Sequence, residues 1–329
     1  MKKASLGLFL LLIVTLTVFA NGNAESTSQD QAGVKVVATT NIIGDVVKQV
    51  LQDNGELTVL MPLGQNPHSY TPTPRNIAAM ESADIIFVNG LGLEEELLPV
   101  LENLDGPIIV EVSHGLIAEA DHHDEHEADH HDEHEADHHD EHEADHHHHD
   151  GNPHFWFSPL KVVHWVHEIV ETLEDVDSDN AELYHENGEA YEAKILALDA
   201  EMRELIERVE PEDRKLVMDH ESFEYFADDY GFTIMANLLP HMSDQADPSA
   251  KHIAEVVKIV EVNDIRAIFV GGTAGQNVIK MADAVAEETS RPLPVVSLLT
   301  GSLAADGRGT DYLDFARYNT EQIVEALAR

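Results

Sequence analysis

The sequence predicts an α/β protein with two lobes, each built on a parallel sheet, joined by one long rigid helix. Short apolar runs alternate with amphipathic segments early in the chain, and the same alternation resumes in its last third. A helical stretch without proline separates the two regions. Such alternation is typical of parallel sheets covered by helices. With 329 residues, 43% of them hydrophobic, the chain is long enough for two cores.

The first lobe is predicted at residues 33–178. Its apolar runs are short and rich in Val, Ile and Leu, as buried parallel strands are. They lie at residues 34–39, 57–61, 84–88 and 107–112. The amphipathic segments that follow predict helices at residues 42–52, 74–82, 94–103 and 159–174.

The second lobe is predicted at residues 211–329 and repeats this pattern. Its strands are predicted at residues 215–219, 233–236, 265–270 and 293–297. Its helices are predicted at residues 221–230, 249–262, 274–289 and 311–328.

Residues 179–210 predict the linking helix. Apolar side chains recur there at spacings of three and four, which places on one face Tyr191, Ile195, Leu198, Met202, Leu205 and Val209. A helix of about 30 residues is ~45 Å long. We expect it to hold the lobes at a fixed distance.

Residues 1–24 have the features of a cleavable signal peptide. A basic start precedes an apolar stretch too short to span a bilayer, and cleavage after Ala20 or Ala24 fits the small residues there. The chain has no cysteine, so it offers no lipid attachment site and no disulfide. Its formal net charge of -44 makes nucleic acid and anionic membranes poor partners. We expect a freely soluble, periplasmic monomer.

Residues 119–150 predict a disordered loop inserted in the first lobe. The segment repeats ADHHDEHE, has thirteen histidines between residues 122 and 150, and offers almost nothing to bury. Imidazole is a preferred ligand of zinc, copper and nickel. The loop therefore predicts weak, exchangeable metal binding.

Three other histidines lie in ordered contexts. His68 occurs in GQNPHSYTPTP and His154 in GNPHFWFSP, and each motif ends in a hydroxyl residue and a proline suited to start a helix. His220 follows the predicted strand KLVMD. The preceding prolines restrict the backbone at the first two histidines. His68 and His220 come after strands, where open α/β sheets bind ligands. These three side chains are the candidate metal ligands.

The chain resembles the substrate-binding proteins of zinc and manganese ABC importers. NPHSYTPTP, NPHFWFSP and HESFEYFADDYGF are similar to the signature segments of that family, in the same order. The resemblance implies two lobes around a metal held in the cleft by His68, His154 and His220. It also implies a membrane permease as partner. The histidine-rich insertion resembles that of the zinc-specific members.

The sequence departs from the family pattern in LLTGSLAADG. Manganese-type members of the family, and some zinc-type members, provide an aspartate in this loop, where this chain has Gly301. The fourth ligand is left open between Glu221, His241, water and a histidine of the loop. Three imidazoles favour Zn²⁺ over Mn²⁺ as the transported ion, because manganese sites rely on carboxylates.

Three functions compete at this point. The first is a zinc receptor that delivers its ion to an ABC importer. The second is a histidine-rich zinc buffer or metallochaperone. The third is a hydrolase, because three histidines and an open position also make a catalytic zinc site. The sequence has neither an HExxH helix nor another recognisable catalytic set, so we expect that the protein is not an enzyme.

Overall fold

In the computed structural model, which describes residues 33–116, 151–239 and 250–328, the chain forms two four-stranded parallel sheets. The first sheet has the order β2-β1-β3-β4 and consists of β1 (Val34–Ala38), β2 (Gly55–Val59), β3 (Ile85–Val88) and β4 (Ile108–Glu111). The second has the order β6-β5-β7-β8 and consists of β5 (Lys215–Met218), β6 (Thr233–Asn237), β7 (Ile268–Gly271) and β8 (Val295–Leu298). The predicted fold class is confirmed.

The helices follow the predicted amphipathic segments closely. In the described part of the chain they are α1 (Asn41–Leu51), α2 (Pro74–Glu81), α3 (Leu98–Leu101), α4 (Pro159–Val176), α5 (Ala181–Ile206), α6 (Glu224–Tyr230), α7 (Ala250–Val262), α8 (Gln276–Glu288) and α9 (Tyr312–Leu327). The helix starts expected after the two histidine motifs are confirmed. Thr73 Oγ1 accepts a hydrogen bond from the backbone of Asn76, and Ser158 Oγ accepts one from the backbone of Lys161. None of the described helices is long and apolar enough to cross a membrane.

Two predicted helices are shorter than expected. The helix predicted at residues 94–103 is a 3₁₀ turn followed by the single turn α3, which has a proline in its first turn. Proline lacks an N–H and fits only the start of a helix, so Pro99 prevents one continuous helix. The helix predicted at residues 221–230 begins only at Glu224, which leaves His220 in a loop between β5 and α6.

The predicted linking helix is α5, which has 26 residues and is therefore ~39 Å long. Its buried face carries Tyr184, Gly188, Tyr191, Ile195, Leu198, Met202 and Ile206. Leu205 is only partly buried, and Val209 is buried beyond the end of the helix. The helix packs against α1 and α4, which precede it in the chain, and against α9, which follows it. It is therefore part of the shared core, not an isolated strut.

Both sheets have the strand order that creates a crevice at their carboxyl ends. In the first sheet β2 lies on one side of β1, and β3 and β4 lie on the other side. In the second sheet β6 lies on one side of β5, and β7 and β8 lie on the other side. Such a switch point is the usual ligand site of an open α/β sheet. In the second lobe this point lies between β5 and β7, directly before His220.

Some of the predictions concern residues outside the described part of the chain. These are the signal peptide at residues 1–24, the histidine-rich loop at residues 119–150, and His241. The boundaries of the lobes at residues 33–178 and 211–329, with the linking segment 179–210 between them, stay predictions.

The close packing of Gly188 in α5 against Val170 in α4 predicts the effect of a larger residue at position 188. A Cβ atom at Gly188 would overlap the side chain of Val170. We expect Gly188→Leu to lower the free energy of unfolding by about 1–3 kcal/mol, because extra volume in a packed interface causes strain. Urea unfolding measures this change. Glu189→Ala, on the exposed side of the same helix, should change stability by less than about 0.5 kcal/mol. Equal effects of the two variants would contradict this view of the packing.

Candidate metal centre

The two Asn-Pro-His motifs fold in the same way. The side-chain oxygen of Asn66 accepts a hydrogen bond from the backbone N–H of His68 at 3.0 Å, and Asn152 does the same for His154 at 3.0 Å. Each proline lies between the partners and restricts the backbone. His68 lies in the 3₁₀ turn Pro67–Ser69, and His154 directly precedes the turn Phe155–Phe157. The sequence similarity of the motifs therefore reflects a shared turn that presents a histidine.

The third histidine is held by the residue before it. One carboxylate oxygen of Asp219 lies 2.9 Å from the backbone nitrogen of His220 and 3.0 Å from its ring Nδ1. The other oxygen accepts a hydrogen bond from the backbone of Gly271, at the end of β7, at 2.7 Å. Asp219 thus spans the switch point of the second sheet. Carboxylates in this position orient histidine rings for metal binding.

The structure brings the three predicted histidines together. The Nε2 atoms of His68 and His154 are 3.0 Å apart, and those of His154 and His220 are 3.4 Å apart. One ligand atom from each of the three lies within 4.8 Å of the others. Zinc bound tetrahedrally at about 2.0–2.1 Å from each nitrogen would separate its ligand atoms by ~3.3 Å. The arrangement therefore fits a small cation between the rings.

Burial favours the neutral form of two of these rings, those of His68 and His154. Burial, assisted by the neighbouring His220, lowers the pKa of His68 to about 4. Burial also lowers the pKa of His154 well below its usual value, and the other two histidines act in the same direction. Only a neutral imidazole has a lone pair to give to a metal. Both rings are consequently ready to bind a cation at neutral pH.

Aromatic contacts hold the His154 turn against the segment that carries His220. The rings of Phe157 and Phe223 stack with centroids 3.9 Å apart, and those of Phe155 and Tyr225 stack at 4.4 Å. The indole N–H of Trp156 donates to the carbonyl of Thr300 at 2.8 Å. Chain segments from both halves of the molecule are therefore packed around the histidines.

The loop at residues 298–307, called the late loop here, lies beside the three histidines through Thr300 and Gly301 and places no carboxylate among them. A Cβ atom at Gly301 would lie 2.5 Å from Cδ of Pro67, so a larger residue would press against the turn of His68. Glu221 is exposed and is not part of the three-histidine group. The other protein candidates for a fourth ligand, His241 and the histidines of the loop, lie outside the described residues.

Four other histidines of the described residues contact groups outside the site. In the helices α4 and α5, ring nitrogens of His164, His167 and His185 lie within 4.0 Å of glutamate oxygens. His252 differs, because its Nε2 lies within hydrogen-bond distance of two backbone carbonyls. His114 is exposed and is not in the group. Asn152 was not identified as a site residue from the sequence, but its side chain lies 2.6 Å from His154 Nδ1. The asparagine that precedes the proline in both Asn-Pro-His motifs was the signal that could have identified it.

Comparison with known proteins reveals a match along almost the whole chain. The family model of the periplasmic component A of the zinc-uptake complex, ZnuA, matches residues 36–326. Two curated relatives are similar over the full length of both chains. One is the manganese-binding lipoprotein MntA of Halalkalibacterium halodurans, at 27% identity, and the other is the metal ABC transporter substrate-binding lipoprotein SsaB of Streptococcus sanguinis, at 28%.

Solved structures show the same similarity. The periplasmic zinc-binding protein TroA of Treponema pallidum has a TM-score of 0.74 and 26% identity, over 89% of this chain and 99% of its own. The cadmium-bound periplasmic metal-binding protein of Candidatus Liberibacter asiaticus has a TM-score of 0.71 and 27% identity, over 89% of this chain and 98% of its own.

The lowered pKa values predict how the stability of the metal-free protein depends on pH. Below pH 6.5 the unfolded histidines bind protons, whereas folded His68 does so only near pH 4. The free energy of unfolding should therefore fall as the pH decreases from 6.5 towards 4. Urea unfolding across this range measures it. His68→Gln should make the decline shallower by up to about 1.4 kcal/mol per pH unit.

His114→Gln, at an exposed position, is the matched control and should follow the wild-type curve. If the His68 variant also follows the wild-type curve, burial does not keep this imidazole neutral.

Proposed function

The chain belongs to the family of the periplasmic zinc-uptake complex component A, and we propose that it is a zinc receptor which delivers Zn²⁺ to the permease of an ABC importer. At the level of the family, the protein is a metal-binding receptor of an ABC transporter. The proposal assigns zinc as the transported ion and His68, His154 and His220 as its ligands. The observation that carries it is the convergence of three imidazole nitrogens, from buried His154 and His220 and partly buried His68, within 4.8 Å of one another.

Zinc fits these ligands better than manganese. The group consists of three imidazoles, and no carboxylate of the described residues joins it. Neutral nitrogen ligands suit zinc, whereas manganese prefers oxygen ligands. Position 301 carries no acidic side chain, and a side chain there would have to displace Pro67. Asp306, the acid of the same loop, is exposed and does not join the three-histidine group. The manganese-binding name of the relative MntA supports the competing assignment, which a selectivity measurement tests.

The fourth ligand belongs to the proposal as well. Zinc is usually four-coordinate, and an open position is filled by water or by a ligand from outside the site. Water is the simplest candidate, because a transported ion has to leave again. Glu221 is a weaker candidate than the sequence suggested, since its side chain is exposed.

The histidine-rich loop and the signal peptide complete the picture. We assign the loop at residues 119–150 to weak capture of zinc, which raises its concentration near the tight site. Residues 1–24 would direct the chain out of the cytoplasm. Several relatives are named lipoproteins, but this sequence has no cysteine, so we propose a periplasmic protein without a lipid anchor.

The alternatives are a zinc buffer and a hydrolase. In a buffer the loop would hold most of the metal, and the lobes would contribute no tight site. A hydrolase would need a general base beside a metal-bound water. The matched family and its named relatives are transport proteins, which favours a receptor over an enzyme.

Removing one histidine of the trio tests the ligand assignment. His68→Ala or His220→Ala should weaken the tight zinc site by more than about 100-fold, which exceeds the 10–100-fold effect of outer-shell changes. The weak, multiple binding to the loop should remain. Titration of zinc against a competing chelator measures both classes of site. His185→Ala, which removes an exposed histidine of α5, is the matched control and should leave the tight site unchanged.

Deleting residues 122–150 distinguishes the receptor from the buffer. The receptor keeps one tight site per chain after this deletion, and the buffer loses tight binding.

Competition between Zn²⁺ and Mn²⁺ tests the choice of ion. Because the site offers imidazole nitrogen and no nearby carboxylate, we expect zinc to bind one equivalent tightly and excess manganese to leave it in place. Equilibrium dialysis with metal analysis on the loop-deleted protein measures the ratio. Tight manganese binding at one equivalent would instead assign the protein to the manganese receptors.

A further inference from the structure

The side chain of Asn152, beside the three histidines, has four hydrogen-bond contacts. Its Oδ1 lies 3.0 Å from the backbone nitrogen of His154 and 2.6 Å from the ring Nδ1 of the same residue. Its Nδ2 donates to the backbone carbonyl of Glu221 at 2.9 Å and to Oε2 of Glu224 at 2.9 Å. The amide of Asn152 therefore connects His154, one proposed metal ligand, with the loop and helix that follow His220, a second proposed ligand.

These partners allow only one orientation of the amide. The backbone N–H of His154 is a donor, so it must face the amide oxygen. The carbonyl of Glu221 and the carboxylate of Glu224 are acceptors, so they must face the amide NH₂ group. The reversed amide would place donor against donor at His154 and acceptor against acceptor on the other side. The orientation thus follows from the partners.

The orientation of the amide determines the tautomer of His154. An amide oxygen accepts only, so ring Nδ1 must carry the proton in the 2.6 Å contact. A neutral imidazole has one such proton, which leaves Nε2 with a free lone pair. Nε2 is the atom that lies 3.0 Å from His68 Nε2 and 3.4 Å from His220 Nε2. The lone pair therefore points to the place where the three histidines meet.

Asn152 also ties the two ligand-bearing segments together. Glu221 directly follows His220, and the hydroxyl of Tyr225 donates to the backbone carbonyl of Asn152 at 2.7 Å. Asp219 plays the matching part for the ring of His220, since its carboxylate lies 3.0 Å from ring Nδ1. The rings of His154 and His220 are consequently oriented by side-chain oxygens, of Asn152 and Asp219 respectively.

We propose that Asn152 is a positioning residue that fixes His154 in the Nδ1–H tautomer and holds its ring in register with the loop of His220. The proposal rests on the proposed function, because it assigns His154 to the metal. Its consequence is that the ion meets an oriented pair of nitrogens, so little rotational freedom is lost on binding.

The test reads the tautomer directly. In full-length, metal-free protein with ¹⁵N-labelled histidine, the His154 ring should show a protonated Nδ1 and a bare Nε2, with its signals identified by their loss in His154→Ala. Asn152→Ala should populate the other tautomer and weaken zinc binding about 10–100-fold. Asn152→Asp keeps an oxygen towards the ring and should retain the Nδ1–H tautomer. Asn103→Ala, which removes an exposed amide of the first lobe, should change neither quantity.

Glu224→Ala separates the two parts of the role. It removes one acceptor from the amide NH₂ group and leaves the oxygen facing the ring, so the tautomer should persist. An Nε2–H tautomer in the wild type overturns the proposal, whether or not the alanine variant folds. An unchanged tautomer or unchanged zinc affinity in Asn152→Ala overturns it as well. Failure of the wild type to bind one zinc ion tightly would refute the proposed function, a different outcome from any of these.

Discussion

The structure depends on holding three imidazole nitrogens close together inside protein. Nε2 atoms separated by 3.0 and 3.4 Å can be joined by N–H···N hydrogen bonds only where one ring carries its proton on Nε2. Burial makes protonation costly, as the lowered pKa values of His68 and His154 indicate. In the proposed function, a metal ion between the rings accepts all three lone pairs. The rest of the fold can be understood as the support that keeps the rings in this arrangement.

That support comes from both halves of the chain. The second sheet contributes its switch point, where Asp219 contacts His220 and the end of β7. The Phe155–Phe157 turn is stacked against Phe223 and Tyr225 at the start of α6, which keeps His154 close to His220. The long helix α5 packs against α1, α4 and α9 and unites these parts in one core. Rigid packing matters because rings misplaced by an ångström cannot share one ion.

The absence of an acidic residue at position 301 is consistent with this packing. Gly301 lies against Pro67, the residue before His68, and the two form a tight contact between the late loop and the first motif. A carboxylate side chain there would need space that Pro67 occupies. The loop therefore lines the site through Gly301 and adds no carboxylate to the three-histidine group. The proposed preference for zinc follows from this ligand chemistry, even though several relatives are named for manganese.

The sequence by itself determined the fold class and nearly every helix and strand, because periodicity is a local property. It also singled out His68 and His154 by their Asn-Pro-His motifs and His220 by its place after a strand, and their assignment as ligands came from the resemblance to a known family. It overestimated the helices near Pro99 and His220, where one residue or loop interrupts a helical pattern. Only the tertiary structure brought together residues that are 66 and 86 positions apart. It also revealed the amide of Asn152 and the contact between Gly301 and Pro67, since hydrogen bonds and packing between distant segments leave no period in a sequence.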